Sequence, residues 1–358
     1  MLTLKTEICK LFNIQYPIIQ AGMAGGPTTA ELVSAVSEAG GLGTLGAAYL
    51  APEDLRKTIR QIKESTSQPF AVNIFSESSE DDYSRLAEVQ QVLNPFRKEL
   101  GIEEIPAAYA SPNWSRQQFE ICLELEVPII STAFGCLPTE QAIMAKERGI
   151  KLIAMATTVR EAIQAEKAGV DAIVAQGSEA GGHRGTFSLE EHPMGALVGT
   201  MSLVPQVADA VKLPVIAAGG IADGRGLVAS LALGAKGVQI GTRFLLATES
   251  GAHNAYKQAI AESTEESTVI TKSFSGRPAR GLRNRFITEF EKVGMAPLPF
   301  PSQNTATKDI RAAAAKQGNS EFMSLWAGQS TRMLENGQSA KEMIDSIVER
   351  AEALCKAE

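Results

Sequence analysis

The chain has 358 residues, 44% hydrophobic and 21% charged, and its 41 acidic against 34 basic residues leave a net charge of −7. That length fits one barrel-sized unit of ~250 residues plus an appendage as well as it fits two equal domains. The acidic balance offers nothing to nucleic acid or an anionic membrane, no apolar run nears the ~18 residues of a membrane span, and no signal-peptide pattern opens the chain.

Cys9, Cys122, Cys136 and Cys355 are scattered without Cys-x-x-Cys spacing. They read as reduced thiols of a cytoplasmic protein, neither a zinc site nor a disulfide framework. With His183, His192 and His253 as the only histidines, a histidine-rich metal site is excluded.

Short β-rich runs then alternate with helical patterns. Residues 16–20 read as a strand, closed by the glycine-rich turn 21–27. Thr28 or Thr29 caps a helix to about residue 39, with Leu32, Val33 and Val36 as its apolar stripe. Gly40 and Gly41 stop it before a second strand at 42–45. Pro52 sits in the first turn of a helix over 52–64, and the third strand, 70–75, carries Asn73 near its C-terminal end.

The period breaks at residues 76–113, a polar insertion with helical patterns at 81–92 and 95–100. An insertion this long reads as a lid or a decoration, and Tyr109 within it is a candidate for the substrate cavity wall. A helix over 115–125 restores the alternation. Strand four follows at 127–132, strand five at 151–156 and strand six at 171–175, with helices over 138–148 and 159–168 between them. A helix over 203–211 leads to strand seven at 213–218, and a helix over 224–233 to strand eight at 237–240. Gly241 and Thr242 then open a short helix to residue 246.

Eight near-continuously apolar strands, each followed by a helix, imply a parallel sheet closed into a (β/α)8 TIM barrel over residues 1–248. A doubly wound open sheet is the alternative. It would want Gly-x-Gly-x-x-Gly after the first strand, and Ala21-Gly-Met-Ala-Gly-Gly26 lacks that spacing. Residues 249–358 carry helical stretches at 252–262, 305–316 and 338–354, with Pro297, Pro299 and Pro301 in a linker. They read as a helical appendage packed on the barrel, able to complete its last helix. Trp326 could reach the barrel mouth or sit in the core.

The loop after strand six, Gln176-Gly-Ser-Glu-Ala-Gly-Gly-His-Arg-Gly185, is glycine-dense and places His183 beside Arg184. Such a loop either wraps a ligand or runs free on the surface. Arg184 could steady an anion or pair with Glu179 or Glu190 in a structural network. His192 reads as loop surface and His253 as a cap or surface residue.

In a (β/α)8 barrel, the loops after strands seven and eight are the usual phosphate site. Here they are Gly219-Gly220 and Gly241-Thr242, whose backbone N–H groups suit a phosphomonoester, although tight turns alone would also use them. The rest of a mononucleotide would then meet Ala21, Gly22 and Met23 after strand one, Asn73, Gln176 and, in strand eight, Gln239. Amides suit the alternating donors and acceptors of a flavin edge. No paired carboxylates and no lysine close a strand, which argues against glycoside hydrolysis, divalent-metal chemistry and a Schiff-base aldolase. Redox chemistry carried by FMN remains.

Gln20-Ala-Gly-Met23, the Glu-Ala-Gly-Gly-His element ending at His183, Ala217-Ala-Gly-Gly-Ile-Ala-Asp-Gly224 and Gln239-Ile-Gly-Thr-Arg-Phe244 resemble the nitronate monooxygenases, once called 2-nitropropane dioxygenases. The glycine motifs are shared with other FMN barrels, and the histidine element with flavin-dependent enoyl-acyl-carrier-protein reductase II. The resemblance implies FMN held by Ala21, Gly22, Met23, Asn73, Gln176, Gly181, Gly182, Gly219, Gly220, Gln239, Gly241 and Thr242, with His183 as the catalytic residue at the flavin face. It also implies oxidation of alkyl nitronates, such as propionate 3-nitronate, by O2 to a carbonyl compound and nitrite without NAD(P)H, a detoxifying activity. The alternatives are an NAD(P)H-dependent acyl-carrier-protein reductase and a flavin-binding protein without efficient turnover. Expected partners are a small nitronate or nitroalkane and O2, with homo-oligomer formation left open.

Overall fold

The computed structural model describes residues 3–76, 80–103 and 109–356. One sheet holds eight parallel strands: β1 (Ile18–Gln20), β2 (Gly43–Gly46), β3 (Phe70–Phe75), β4 (Ile129–Ala133), β5 (Lys151–Ala156), β6 (Ala172–Gln176), β8 (Val215–Ala218) and β9 (Gly237–Ile240). Between β6 and β8 the chain makes a two-residue strand, β7 (Gly182–His183), that belongs elsewhere. Neighbours follow chain order from β2 to β9, β9 pairs with β1, and a single parallel bridge from Ile19 to Leu42 links β1 to the start of β2. This is the nearly closed (β/α)8 barrel expected from the alternation, with no reversal of strand order of the kind a doubly wound sheet requires.

The β1–β2 seam carries little ladder, and a side chain reinforces it. Gln20 is fully buried; its amide donates to the carbonyls of Thr44, at 3.1 Å, and Ala21, and accepts the Thr44 N–H at 3.0 Å. A buried amide satisfied in this way acts as a surrogate rung.

Alternation along each strand divides the core. Ile19, Ala71, Ile129, Ile153, Val174 and Ile216 cluster inside the barrel, while Ile18, Val72, Ile130, Ile173 and Val215 pack outward under the helices. Each fully buried aliphatic side chain contributes about 1.5–3 kcal/mol. An N-terminal helix, Glu7–Phe12, which the sequence reading did not foresee, adds Ile8 and Phe12 to the inner cluster. The hydroxyl of Thr6 donates to the Lys236 carbonyl just before β9, which fixes this helix at the N-terminal end of the strands.

The helices otherwise lie where their stripes and caps put them. Thr29 caps helix Ala30–Glu38 by accepting the Leu32 N–H at 3.0 Å. The last helix, Ala340–Lys356, packs between helices Ala30–Glu38 and Gly224–Ala232. It takes the ring position that the four-residue helix Thr242–Leu245 is too short to fill. The approach is close: a Cβ on Gly224 would lie 2.4 Å from the Ala351 nitrogen. Among the described residues no helix is long and apolar enough to cross a membrane.

Two expectations are corrected. The tail is not wholly helical: β10 (Thr268–Thr271) and β11 (Ala279–Leu282) form an antiparallel pair, and β11 also pairs with β7. Four-residue strands carry too little periodicity to announce themselves, and helix Arg285–Lys292 follows them unforeseen. Among its described residues the insertion carries one helix, Leu86–Glu99, rather than two. Pro95 lies inside it, where a proline's missing N–H ordinarily ends a helix. Phe96 packs against Phe286 at 5.0 Å, and buried Arg97 bonds Asp309 at 2.6 Å and the Ala306 carbonyl at 2.8 Å. Insertion and tail therefore pack on each other. Residues 77–79 and 104–108 of the insertion lie outside the described residues.

Candidate active site

A cavity of about 510 Å³ opens at the C-terminal ends of the barrel strands. Ala21, Gly22, Met23, Asn73, Gln176, Gly181, Gly182, His183, Gly219, Gly220, Gln239, Gly241 and Thr242 all line it. Loops separated by more than two hundred residues in sequence thus meet at one mouth, as barrel topology requires.

The loop after β6 is held by its own polar groups. The buried amide of Gln176 donates to the His183 carbonyl at 3.0 Å and accepts the Gly185 N–H at 2.9 Å. Arg184 is fully buried and donates to the carbonyls of Gln176 (2.8 Å), Gly177 (2.7 Å) and Ala196 (3.1 Å). Its guanidinium ties the loop together through these backbone carbonyls, with no ion pair to Glu179 or Glu190, and it does not line the cavity. Burial pulls its pKa down to about 10, helped by Arg280 and opposed by the carboxylates of Glu179 and Glu161.

Adjacent glycines in the loop do different work. A Cβ on Gly181 would lie 2.5 Å from the Gly328 nitrogen, so its smallness admits the tail. Gly182 has φ +76° with open space around its missing Cβ, so there it is the backbone conformation that demands glycine.

Pairing of β7 with β11 sets Ala279 opposite His183 and aligns the imidazole. His183 Nε2 lies 2.8 Å from the Ser275 hydroxyl, which donates to the Arg277 carbonyl at 3.0 Å. The Ser275 hydroxyl proton can go to the Arg277 carbonyl, with Nε2–H donating to Ser275, or to Nε2, with the ring proton on Nδ1; Nδ1 has no partner among the described residues. Rings of Trp326 (5.4 Å), Phe134 (5.9 Å) and Phe300 (6.2 Å) surround the imidazole. The Arg277 guanidinium lies 3.8 Å from the Phe134 ring centroid. Burial first, then the charges of Arg277 and Arg311, push the His183 pKa down to about 3, so the ring is neutral near pH 7.

Across the mouth, Gly219 (φ +115°) and Gly220 (φ +70°) follow β8. The Glu179 carboxylate accepts the Thr200 N–H and hydroxyl at 2.9 Å and so occupies the N-terminus of helix Thr200–Ala210. The N-terminus of the short helix Thr242–Leu245, which no side chain caps, opens on the cavity at Gly241 and Thr242. A Cβ on Gly241 would meet only Ala21 at 3.5 Å and Met23 at 3.8 Å, ordinary contacts, so the cradle has room to spare. Asn73 donates to the Ser131 hydroxyl at 2.9 Å.

Trp326 reaches the mouth. His253 lines the cavity and caps helix Asn254–Ala261, its Nδ1 accepting the Ala255 N–H at 3.1 Å. Tyr109 does not line the cavity; its hydroxyl accepts from Arg97 at 3.3 Å, and its ring lies 6.1 Å from that of Tyr83. No described residue of the insertion forms the wall, which the tail helix Lys308–Gln317 supplies instead. Sequence reasoning missed Tyr49, Phe75, Phe134, Ser275, Phe300 and Arg311, none of which sits in a motif.

A parallel barrel with a glycine cradle at its last two strands and a caged, neutral histidine opposite defines a (β/α)8-barrel enzyme. A family model described as "Nitronate monooxygenase" matches residues 5–350, so the chain belongs to the nitronate monooxygenase family and is an oxidoreductase. It is 46% identical over 350 residues to a probable nitronate monooxygenase of Staphylococcus saprophyticus, covering 97% of this chain and 98% of the relative. A probable nitronate monooxygenase of Staphylococcus haemolyticus is 44% identical, with 97% of each chain covered. Among solved structures, a nitroalkane oxidase from Streptomyces ansochromogenes matches with a TM-score of 0.90 at 36% identity, over 98% of this chain and 99% of its own. FabK from Thermotoga maritima matches with a TM-score of 0.78 at 33% identity, over 99% and 98%.

Proposed function

We propose that the cavity binds FMN and that the protein oxidises alkyl nitronates, such as propionate 3-nitronate, with O2 to a carbonyl compound and nitrite, using no nicotinamide. The observation that carries this reading is His183, neutral and caged by aromatic rings, facing the same cavity as the glycine cradle. The full-length likeness to probable nitronate monooxygenases and to a nitroalkane oxidase supports it.

The residues fit the cofactor. Backbone N–H groups at Gly219, Gly220, Gly241 and Thr242 would receive the phosphate, and the space left at Gly241 and Gly182 admits a flat ring beside Met23, Asn73 and Gln239. Bound FMN supplies the electron acceptor. Gln176 acts at one remove, since both ends of its amide are spent on the loop that carries His183.

His183 orients the substrate. The Ser275 hydroxyl can donate to the Arg277 carbonyl or to Nε2. When it turns to Nε2, the imidazole presents Nδ1–H to the nitronate oxygens. The phenyl and indole rings around it exclude water and strengthen that contact. A conjugate acid with so low a pKa gives little drive to remove a proton from carbon, so preformed nitronates are oxidised in preference to neutral nitroalkanes.

The purified protein should be yellow, release FMN on denaturation and consume O2 with an alkyl nitronate in the absence of NADH. His183→Asn should keep the flavin and lose at least about a hundredfold in kcat. A colourless protein, or an unchanged rate in that variant, contradicts the reading.

A further inference from the structure

Phe134, which follows β4 and lines the cavity, is held in an unfavourable conformation. Its φ is +71°, in the left-handed region that a bulky side chain rarely enters, and Gly135 after it has φ +144°. A backbone persists there only where its surroundings over-determine it. Phe75 stacks on the Phe134 ring at 4.8 Å, Phe300 meets it at 66° and 5.8 Å, and the His183 imidazole stands at 81° to it with centroids 5.9 Å apart. A cation completes the set, the Arg277 guanidinium at 3.8 Å from the ring centroid.

Arg277 is buried and does not line the cavity. Its Nε has no hydrogen-bond partner among the described residues, while Nη2 donates to the carbonyl of Thr186, in the loop that carries His183. Its own carbonyl lies 3.0 Å from the Ser275 hydroxyl, which is 2.8 Å from His183 Nε2. Glu161, the acid whose charge it feels, spends its carboxylate on the N–H groups of Thr157 and Phe187 and on the Thr157 hydroxyl.

Taking a guanidinium out of water is costly, and here an aromatic face and one carbonyl stand where a carboxylate would ordinarily be. A cation–π contact strengthens when it is desolvated. This one falls on the ring whose own backbone is least able to hold it, and that ring is set across the imidazole. After burial, the Arg277 charge also acts with that of Arg311 to favour the neutral imidazole, and Arg277 is the larger of the two.

We infer that Arg277 is a positioning residue: through its contact with Phe134 it fixes the ring against which His183 is oriented, without itself touching substrate. This rests on the reading of His183 as the group that meets the nitronate.

The test is a double-mutant cycle of Arg277→Met and Phe134→Leu, assayed with an alkyl nitronate. Each single variant should lose about tenfold in kcat with KM changed less than about threefold, and the double variant should lose less than about threefold beyond either. Arg277→Lys, whose ammonium can still face the ring, should recover part of the loss. Flavin content and melting temperature show that the variants fold. Losses that multiply in the double variant would mean that Arg277 only supports the fold and would overturn the inference. A rise in KM alone would also overturn it, making Arg277 a substrate-binding group.

A second readout needs no turnover and so separates this inference from the functional reading. The chain has three histidines, and the His183 ring signal is identified in the proton–carbon NMR spectrum of the purified protein by its absence from His183→Gln. In Arg277→Met that signal should move toward its position in Phe134→Leu, while those of His192 and His253 stay in place. If Arg277→Met is too unstable to purify, Arg277→Lys should show a smaller shift in the same sense. A His183 signal that stays at its parent position in these Arg277 variants contradicts the inference even if no nitronate is oxidised.

Discussion

His183 Nε2 and the Ser275 hydroxyl lie 2.8 Å apart, although 92 residues separate them in the chain. Their contact exists because β7 pairs with β11, which brings the tail over the barrel mouth. Ser275→Ala removes the group that sets the imidazole tautomer. At about 1–1.5 kcal/mol for such a hydrogen bond, kcat should fall roughly tenfold while bound flavin is retained. Steady-state oxygen consumption measures this, and an unchanged kcat would show that Ser275 is only a packing neighbour.

The low pKa of His183 has a consequence for stability. Its ordinary value is 6.5 and its folded value about 3, a fall caused by burial, then by Arg277 and Arg311. Between those values the unfolded chain binds a proton that the folded chain refuses. Stability is therefore lost as pH falls from about 6.5 to about 3, by at most about 1.4 kcal/mol per pH unit from this group, and is fully present above that window. His183→Gln should flatten the pH dependence by that slope in urea denaturation at pH 4 to 7. Identical slopes in the two proteins would contradict the assignment.

Arg184 should behave as a structural residue. Arg184→Met removes the guanidinium that bonds the carbonyls of Gln176, Gly177 and Ala196 in a buried loop. The expected cost is about 3–5 kcal/mol, with flavin content falling as the loop loosens. A variant as stable as the parent but with an altered KM would restore the substrate-binding role.

Gly241 tests the cradle. Its backbone is compatible with other residues, and a Cβ there makes only ordinary contacts with Ala21 and Met23. Gly241→Val should therefore fold normally while its methyl groups occupy cavity space. Flavin content after purification should drop below about a tenth of the parent's, because a filled cavity cannot be emptied cheaply. Full flavin content would move the phosphate elsewhere.

The barrel was legible because each strand is an apolar run bounded by turn residues; β3, β5 and β9 match their expected limits, and the others differ by only a few residues. The site was legible where its residues end barrel strands, since topology then fixes which end they face: Gly219, Gly241 and Asn73 are of this kind. Gln176 shows the limit. Its position at the end of β6 was plain, but only the folded loop reveals that its amide is consumed by His183 and Gly185. Ser275 and Arg277 were hidden because they approach His183 through a tail whose strands are four residues or shorter, and Arg311 because a helical pattern does not say that its helix faces the mouth. Pro95 misled for a physical reason, since the packing of Phe96 and Arg97 outweighs the lost helical bond.

Under the proposed function the reducing electrons come from a nitronate and not from a nicotinamide. Anaerobic mixing of the purified protein separately with propionate 3-nitronate, NADH and NADPH, followed by flavin absorbance, tests this directly. Rapid loss of flavin absorbance is expected with the nitronate and none, on the same timescale, with NADH or NADPH. Rapid bleaching by either nicotinamide, with the nitronate inert, would contradict it and assign the cavity to an NAD(P)H-dependent reductase.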